Sequence, residues 1–308
     1  MSQLIPKQQR VEGCLLGLAI GDAVGATYEG LFADLIMRYG GGDKIVQHTS
    51  GEKLVYTDDT QMMIGIVETL VQHQQIDVPT LCHRFGENYE KGRGYGQGVR
   101  PLLEAMANDE FEETMACQVF PDGSYGNGAA MRIAPVGLMF HNDDQPLDHQ
   151  VMLASKMTHA HELGIDGARV IAKAVAWAFT NSTFDRDNFF SQVAQFAKTE
   201  EFQWQLQTAK DLPRFSSVNF GNGLEAHRSV VSSLVCFADS PDDYSAVIAR
   251  AIGAGGDVDT IAAMAGSISG AYLGIQAVPK NLIDCLENGD KGRDYLFDLA
   301  QQLSKIVP

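Results

Sequence analysis

The chain lacks nearly everything that staples or anchors a small protein. Its 308 residues hold five cysteines, Cys14, Cys82, Cys117, Cys236 and Cys285, an odd number with no CxxC among them. That argues against a disulfide framework, and most of the cysteines read as reduced core thiols. Positive charge is scarce: 23 Lys and Arg stand against 39 Asp and Glu, a net charge of -16. Such a surface repels a polyanion, so general nucleic-acid binding is excluded. Small anions remain admissible where metals or helix N-termini make a pocket locally positive. The polar stretch Met1 to Arg10 has no signal-peptide core.

One uncharged stretch, residues 260–279, places Gly266, Gly270 and Gly274 at spacing four. In lipid that pattern joins membrane helices. Its Ala, Gly and Ser content and its acidic N-terminal flank point instead to the central helix of a soluble bundle. There the small residues would share one face and let a neighbour approach closely. The chain is expected to be cytoplasmic, without a membrane span, and monomeric.

Strand signals are scarce, whereas helical periodicity recurs from end to end. The pattern predicts helices over 8–24, from Thr60 through Leu70, from Pro79 to about Tyr89 and over 101–106. Others follow over 128–140, 166–179, 187–198, 223–238, 242–253, 260–276 and 292–306. Loops concentrate at 30–57, with a short irregular piece, and at the glycine-rich stretches 91–98 and 120–128. No linker or repeat divides the chain, so residues 1–308 read as a single all-α domain of about a dozen helices.

What the chain does have is two doubled acidic segments, about 200 residues apart. They are Tyr56-Thr57-Asp58-Asp59-Thr60 and Gly255-Gly256-Asp257-Val258-Asp259-Thr260. Each stands where an apolar helical pattern begins. Asp and Thr are ordinary helix caps, but one Asp suffices for a cap and clustered carboxylates repel. Brought together, the segments offer hard oxygen donors suited to Mg²⁺ or Mn²⁺.

The loop Phe120-Pro121-Asp122-Gly123-Ser124-Tyr125-Gly126-Asn127-Gly128 precedes a helix, as phosphate-cradling loops do. Phe120 and Tyr125 flank its glycines and could sandwich a planar base. Glu29, just past a glycine-punctuated helix, could be an acid or base on a mobile loop, whereas Asp22 within that helix reads as a structural hydrogen-bonding residue. His159 and His161 stand two apart, which excludes a metal pair on one helix face.

Six pieces taken together resemble the ADP-ribosylglycohydrolase family, also called ADP-ribosyl-acceptor hydrolases. In family order they are GCLLGLAIGDAVGATYEG, YTDDTQM, GYGQGV, GSYGNGAAMRIAPVGL, THAHELGIDGA and GGDVDTIAAMAGSISGAYLG. The third, fourth and fifth are most similar to the serine-type branch, which removes ADP-ribose from serine and also cleaves O-acetyl-ADP-ribose and poly(ADP-ribose). The resemblance implies an all-helical fold with a binuclear Mg²⁺ centre, its ligands Thr57, Asp58, Asp59, Asp257, Asp259 and Thr260. It implies a gating glutamate at Glu29. It also implies substrate contacts at Gly98, at the loop Gly123, Ser124, Tyr125, Gly126, Asn127 and Gly128, at the aromatic pair Phe120 and Tyr125, and at His159. The chain departs from the family at Val258, where Thr is usual, and over residues 30–56.

The reaction so implied is metal-dependent hydrolysis at C1″ of ADP-ribose through an oxocarbenium-like transition state. Asp58 or Asp259 would position or deprotonate the water, with Glu29 at the gate. The rivals are an arginine-type hydrolase, a non-catalytic ADP-ribose sensor, and a pyrophosphatase on the same scaffold.

Overall fold

A computed structural model describes residues 5–49, 51, 53–112, 114–214 and 220–308. Within these the chain forms α1 (Lys7–Gly25), α2 (Ala33–Arg38), α3 (Gly41–His48), α4 (Asp58–His73), α5 (Val78–Asn88) and α6 (Arg100–Ala107). Then come α7 (Met115–Val119), α8 (Ala134–Met139), α9 (Asp144–Lys156), α10 (Glu162–Thr180), α11 (Arg186–Phe196) and α12 (Glu200–Asp211). The last five are α13 (Ala226–Asp239), α14 (Tyr244–Gly253), α15 (Val258–Leu273), α16 (Lys280–Cys285) and α17 (Arg293–Ile306). No strand occurs among the described residues; two isolated bridges, Leu54 with Leu286 and Gly126 with Glu225, are the nearest approach. The all-α expectation holds, with more and shorter helices than periodicity predicts.

The axis of the molecule is an antiparallel seam between α1 and α15. A Cβ on Gly13, Gly17 or Gly21 would run into the backbone of Gly270, Gly266 or Ala262, and one on Gly25 into that of Asp259. Four glycines at spacing four thus form a groove on α1, into which the small residues of α15 settle. The predicted close approach of Gly266 and Gly270 is met. Gly274 also lies against α1, where a Cβ on Gly13 would come within 2.7 Å of its carbonyl carbon, and it ends the helix at φ 74°. Tyr244 of α14 braces the seam by donating to Gly17 O at 2.7 Å.

Around this axis lies one continuous apolar core drawn from nearly every helix. The run Lys7–Tyr28 is long and apolar enough to cross a membrane by length and composition, but 78% of its apolar window is buried inside the protein, as a central helix requires. Arg10 of α1 donates to the carbonyls of Ala178, Phe179 and Asn181, which satisfies the C-terminal carbonyls of α10. Cys14 and Cys236 are buried free thiols as expected, whereas Cys117 is exposed.

The seam also sets the site. Because the two helices run antiparallel, the C-terminal end of α1 lies beside the N-terminal end of α15. Glu29, four residues past α1, therefore meets Asp257 and Asp259. Residues 30–57, expected to be loop, hold the short helices α2 and α3, and Gly42 packs closely against the Ala249 backbone of α14.

Candidate functional site

Asp22 is the hinge pin of the site. Its carboxylate is fully buried and accepts from Thr57 N at 2.9 and 3.1 Å, from Thr60 N at 3.0 Å and from Thr60 Oγ1 at 2.5 Å. It thereby fixes the N-terminus of α4 against α1, the structural role read from the sequence. From the other side, Arg93 O accepts from Asp58 N at 2.6 Å. The Arg93 guanidinium lies 4.2 Å from the Tyr56 ring centroid and pairs with Glu287.

Three helix ends now converge. Glu29, Asp257 and Asp259 offer oxygens that all lie within 4.8 Å of one another. Asp58 and Asp59 face the same cavity from the start of α4. The N-terminal dipoles of α4 and α15 favour the negative charge but do not neutralise it. Nor is the cluster used up in capping. Thr57 Oγ1 supplies the cap bond of α4, and Asp257, at the N-cap of α15, makes none. Its Oδ2 instead accepts from Asn127 Nδ2 at 2.5 Å.

Burial raises the proton affinity of these carboxylates. Burial first, then the charges of Asp22 and Asp259, push Asp58 up to about 8. Burial lifts Asp22 to about 7 and carries Asp59 and Asp257 well above the usual carboxylate range. Asp259 and Glu29 are raised too, again chiefly by desolvation. Two buried oxygens, Asp59 Oδ2 and Asp259 Oδ1, have no hydrogen-bond partner among the described residues. Carboxylates and threonine hydroxyls with orphaned oxygens are the donor set that a hard divalent cation completes.

The cavity above the cluster has a volume of about 610 Å³. Of the metal-ligand and substrate-contact residues that the resemblance implies, with Glu29, Thr57 and Gly123 do not line it; the others do. Thr57 stands just behind its floor, bound to Asp22. Gly123 turns the loop at φ 79°, with its Cα against the Ala160–His161 backbone, so a side chain has no room there. Ser124, Gly126 and Gly128 form one wall, pinned by Asn127 N to Leu224 O at 2.9 Å and Ala226 N to Tyr125 O at 3.0 Å. Gly98 is needed because the Phe120 ring lies where its side chain would be. Tyr125, 51% exposed, stands at the rim. The flap carrying Glu29 is tied to the second acidic segment by Gly30 N to Gly256 O and Gly256 N to Leu31 O, both 2.8 Å.

Asn127 departs from its expected place in a phosphate cradle. Its amide donates to Asp257 and to Ser229 Oγ, so its side chain is committed to the acidic end. His159 faces the cavity, whereas His161 caps α10 by accepting from Leu163 N at 3.1 Å and meets the Tyr125 ring edge-on. Arg132, Thr158, Leu224 and Glu225 also line the cavity and were not singled out from the sequence. Arg132 could have been: it is the only charge between Gly128 and Phe140.

This is an all-helical protein whose cleft joins a carboxylate cluster suited to divalent cations to a glycine-rich, aromatic-walled ligand pocket. The ADP-ribosylglycohydrolase family model matches residues 4–307. The ADP-ribosylhydrolase ARH3 of Gallus gallus is 33% identical over 330 residues, spanning 91% of this chain and 89% of that protein. The ADP-ribosylhydrolase ARH3 of Homo sapiens is 32% identical over 345 residues, spanning 96% and 93%. A solved structure described as an ADP-ribosylglycohydrolase-related protein complex shares the fold, with a TM-score of 0.75 at 23% identity over 98% of this chain and 99% of that one. The chain belongs to the ADP-ribosylglycohydrolase family, and it is a hydrolase of that metal-dependent family.

Proposed function

We propose that the protein hydrolyses the glycosidic bond at C1″ of O-linked ADP-ribose conjugates, releasing ADP-ribose. The substrates are ADP-ribosyl-serine, O-acetyl-ADP-ribose and poly(ADP-ribose). The observation that carries the reading is one cavity lined both by the carboxylates Glu29, Asp58, Asp59, Asp257 and Asp259 and by the Ser124–Gly128 wall. Its volume falls in the usual range for small-molecule sites. The motif resemblance to the serine-type branch and the ARH3 relatives support the choice of substrate.

In this reading Phe120 and Tyr125 hold the adenine, and backbone amides of the 123–128 loop with His159 receive the diphosphate. The distal ribose then lies over the acidic cluster. Thr57, Asp58, Asp59, Asp257, Asp259 and Thr260 would hold two divalent cations, Mg²⁺ by donor type with Mn²⁺ as a substitute. When bound, these orient the ribose hydroxyls and offset the negative charge. Asp58 or Asp259 positions or deprotonates the attacking water, and another acidic group protonates the departing oxygen. The flap holds Glu29 beside Asp257 and Asp259.

The deciding experiment is release of ADP-ribose from serine-linked peptide, arginine-linked peptide, O-acetyl-ADP-ribose and poly(ADP-ribose), with Mg²⁺ and with chelator. Mg²⁺-dependent cleavage of the O-linked members, with arginine spared, is the expected result. Cleavage of the arginine conjugate alone would move the protein to the arginine-type activity. AMP in place of ADP-ribose would mean pyrophosphate cleavage. Binding without any turnover would make the protein a sensor.

A further inference from the structure

Arg132 is a fully buried guanidinium on the wall of the cavity, and no described carboxylate forms an ion pair with it. It lies 4.9 Å from the Phe85 ring centroid. Its NH1 donates to Gly128 O at 3.0 Å, and its NH2 donates to Ala154 O at 3.0 Å and to Thr158 Oγ1 at 2.8 Å. Burying an unpaired charge is costly, so this arrangement calls for a reason at the site it faces.

Next to it, Thr158 Oγ1 lies 2.8 Å from His159 Nδ1. The threonine hydroxyl has one proton, and Arg132 already occupies it as an acceptor. Its other acceptor is Ser155 O, at 3.5 Å, beyond a good O–H···O distance. Ser155 O also accepts from Thr158 N at 3.1 Å and His159 N at 2.9 Å, which fills its lone pairs. The hydroxyl proton therefore goes to His159 Nδ1. Burial, then the nearby Arg132 charge, holds the ring neutral, with its pKa down at about 3. A neutral ring that accepts at Nδ1 carries its proton on Nε2. That nitrogen lies against Gly126 and Gly128, where a Cβ would come within 3.5 and 2.9 Å of it. It makes no hydrogen bond to the described residues, and the ring is only 8% exposed.

We propose that Arg132 and Thr158 are positioning residues that fix His159 as its Nε2–H tautomer, so that a neutral donor is pre-aimed into the cavity beside the glycine loop. Resting on the function proposed above, the inference makes that donor's partner the diphosphate of ADP-ribose, the nearest anion the loop would receive. The unpaired Arg132 charge adds to the same attraction from behind the wall. The His159 donor is a neutral ring. It keeps its direction from a fixed partner and gives the anion one aimed hydrogen bond.

The test begins with the ligand-free protein. Long-range ¹H–¹⁵N correlation of the histidine rings should show His159 protonated at Nε2 and unprotonated at Nδ1. Thr158→Val should lose that bias and weaken ADP-ribose binding, measured by calorimetry, by about tenfold or more, the loss expected of one hydrogen bond to a charged group. Thr158→Ser keeps the hydroxyl and should restore both the tautomer and binding to within about twofold. Circular dichroism and melting of the two variants separate this from a folding defect. An Nδ1–H ring in the wild type overturns the inference. So does a folded Thr158→Val that keeps both the tautomer and the affinity. If the ring is Nε2–H yet ADP-ribose does not bind, the proposed function fails while the positioning chain stands.

Discussion

The amide of Asn127 donates to Asp257 Oδ2 at 2.5 Å, joining the glycine-rich loop to the acidic cluster through a single side chain. The residue lies in a loop that reads as a phosphate cradle, yet its nitrogen serves the other end of the cavity. The two halves of the site are therefore registered by a bond, not only by the fold. Asn127→Ala leaves Asp257 without its donor and should weaken Mg²⁺ or Mn²⁺ binding by about 10–100-fold, the usual effect of losing a residue that orients a ligand. Calorimetric titration of the metal into the folded variant is the check.

Asp58→Asn and Asp257→Asn each remove a carboxylate from the cluster. Each should lower ADP-ribose release by at least about a thousandfold, since cation-assisted catalysis is worth several kcal/mol and each 1.36 kcal/mol is tenfold. Rates near wild type in either variant would end the metal-centred mechanism.

Titration gives an independent handle. Asp58 and Asp22 rise to about 8 and about 7 in the folded, metal-free protein, above the ordinary carboxylate value they regain on unfolding. Between those values these two groups bind more protons in the native state than in the unfolded state, so the stability they contribute is full below the ordinary carboxylate value and is lost as pH rises through about 8. In chelator, melting temperature should drop from pH 5.5 to pH 8.5. Saturating Mg²⁺ should flatten that slope, because the cation takes over the neutralising role of the protons. A melting temperature in chelator that rises with pH would refute the buried-cluster account.

At the seam, Gly21→Ala forces a methyl into the Ala262 backbone. Overpacking of this kind costs about 1–3 kcal/mol. Because the same contact spaces Asp22 from Asp259, thermal melting and metal affinity should fall together. A control, Gly92→Ala, meets nothing within 4 Å and should change neither.

At the rim, Phe120→Ala and Tyr125→Ala should raise the KM for ADP-ribose conjugates by roughly tenfold each and leave kcat nearly unchanged. An aromatic platform for a base is worth about 1–3 kcal/mol. A selective fall in kcat would place these rings near the chemistry instead.

Much of this architecture is legible in particular residues. The doubled acidic segments could be picked out because their carboxylates exceed what capping needs, and the structure brings both to one cavity. Gly266 and Gly270 announced a close helix contact, but the partner could not be named from them. The matching groove on α1 shows only when Gly13, Gly17, Gly21 and Gly25 are counted at spacing four. Helices α9 and α12 were missed because their exposed faces are polar or charged, so the apolar stripe is narrow. α2 and α3 were missed because they are short and stand beside a run of three glycines. The Asn127 contact was beyond sequence reasoning, since it depends on a side-chain rotamer and not on a motif.

The antiparallel α1–α15 seam has a consequence for how the protein is made. Gly13 and Gly270 meet across more than 250 residues, so closing this contact is among the most entropically demanding steps of folding. During synthesis, α1 emerges with its glycine groove unfilled, and the groove stays so until α15 has been made. The second acidic segment, at the start of α15, arrives with the helix that fills the groove. The packing of two distant helices and the assembly of the acidic cluster are therefore one event.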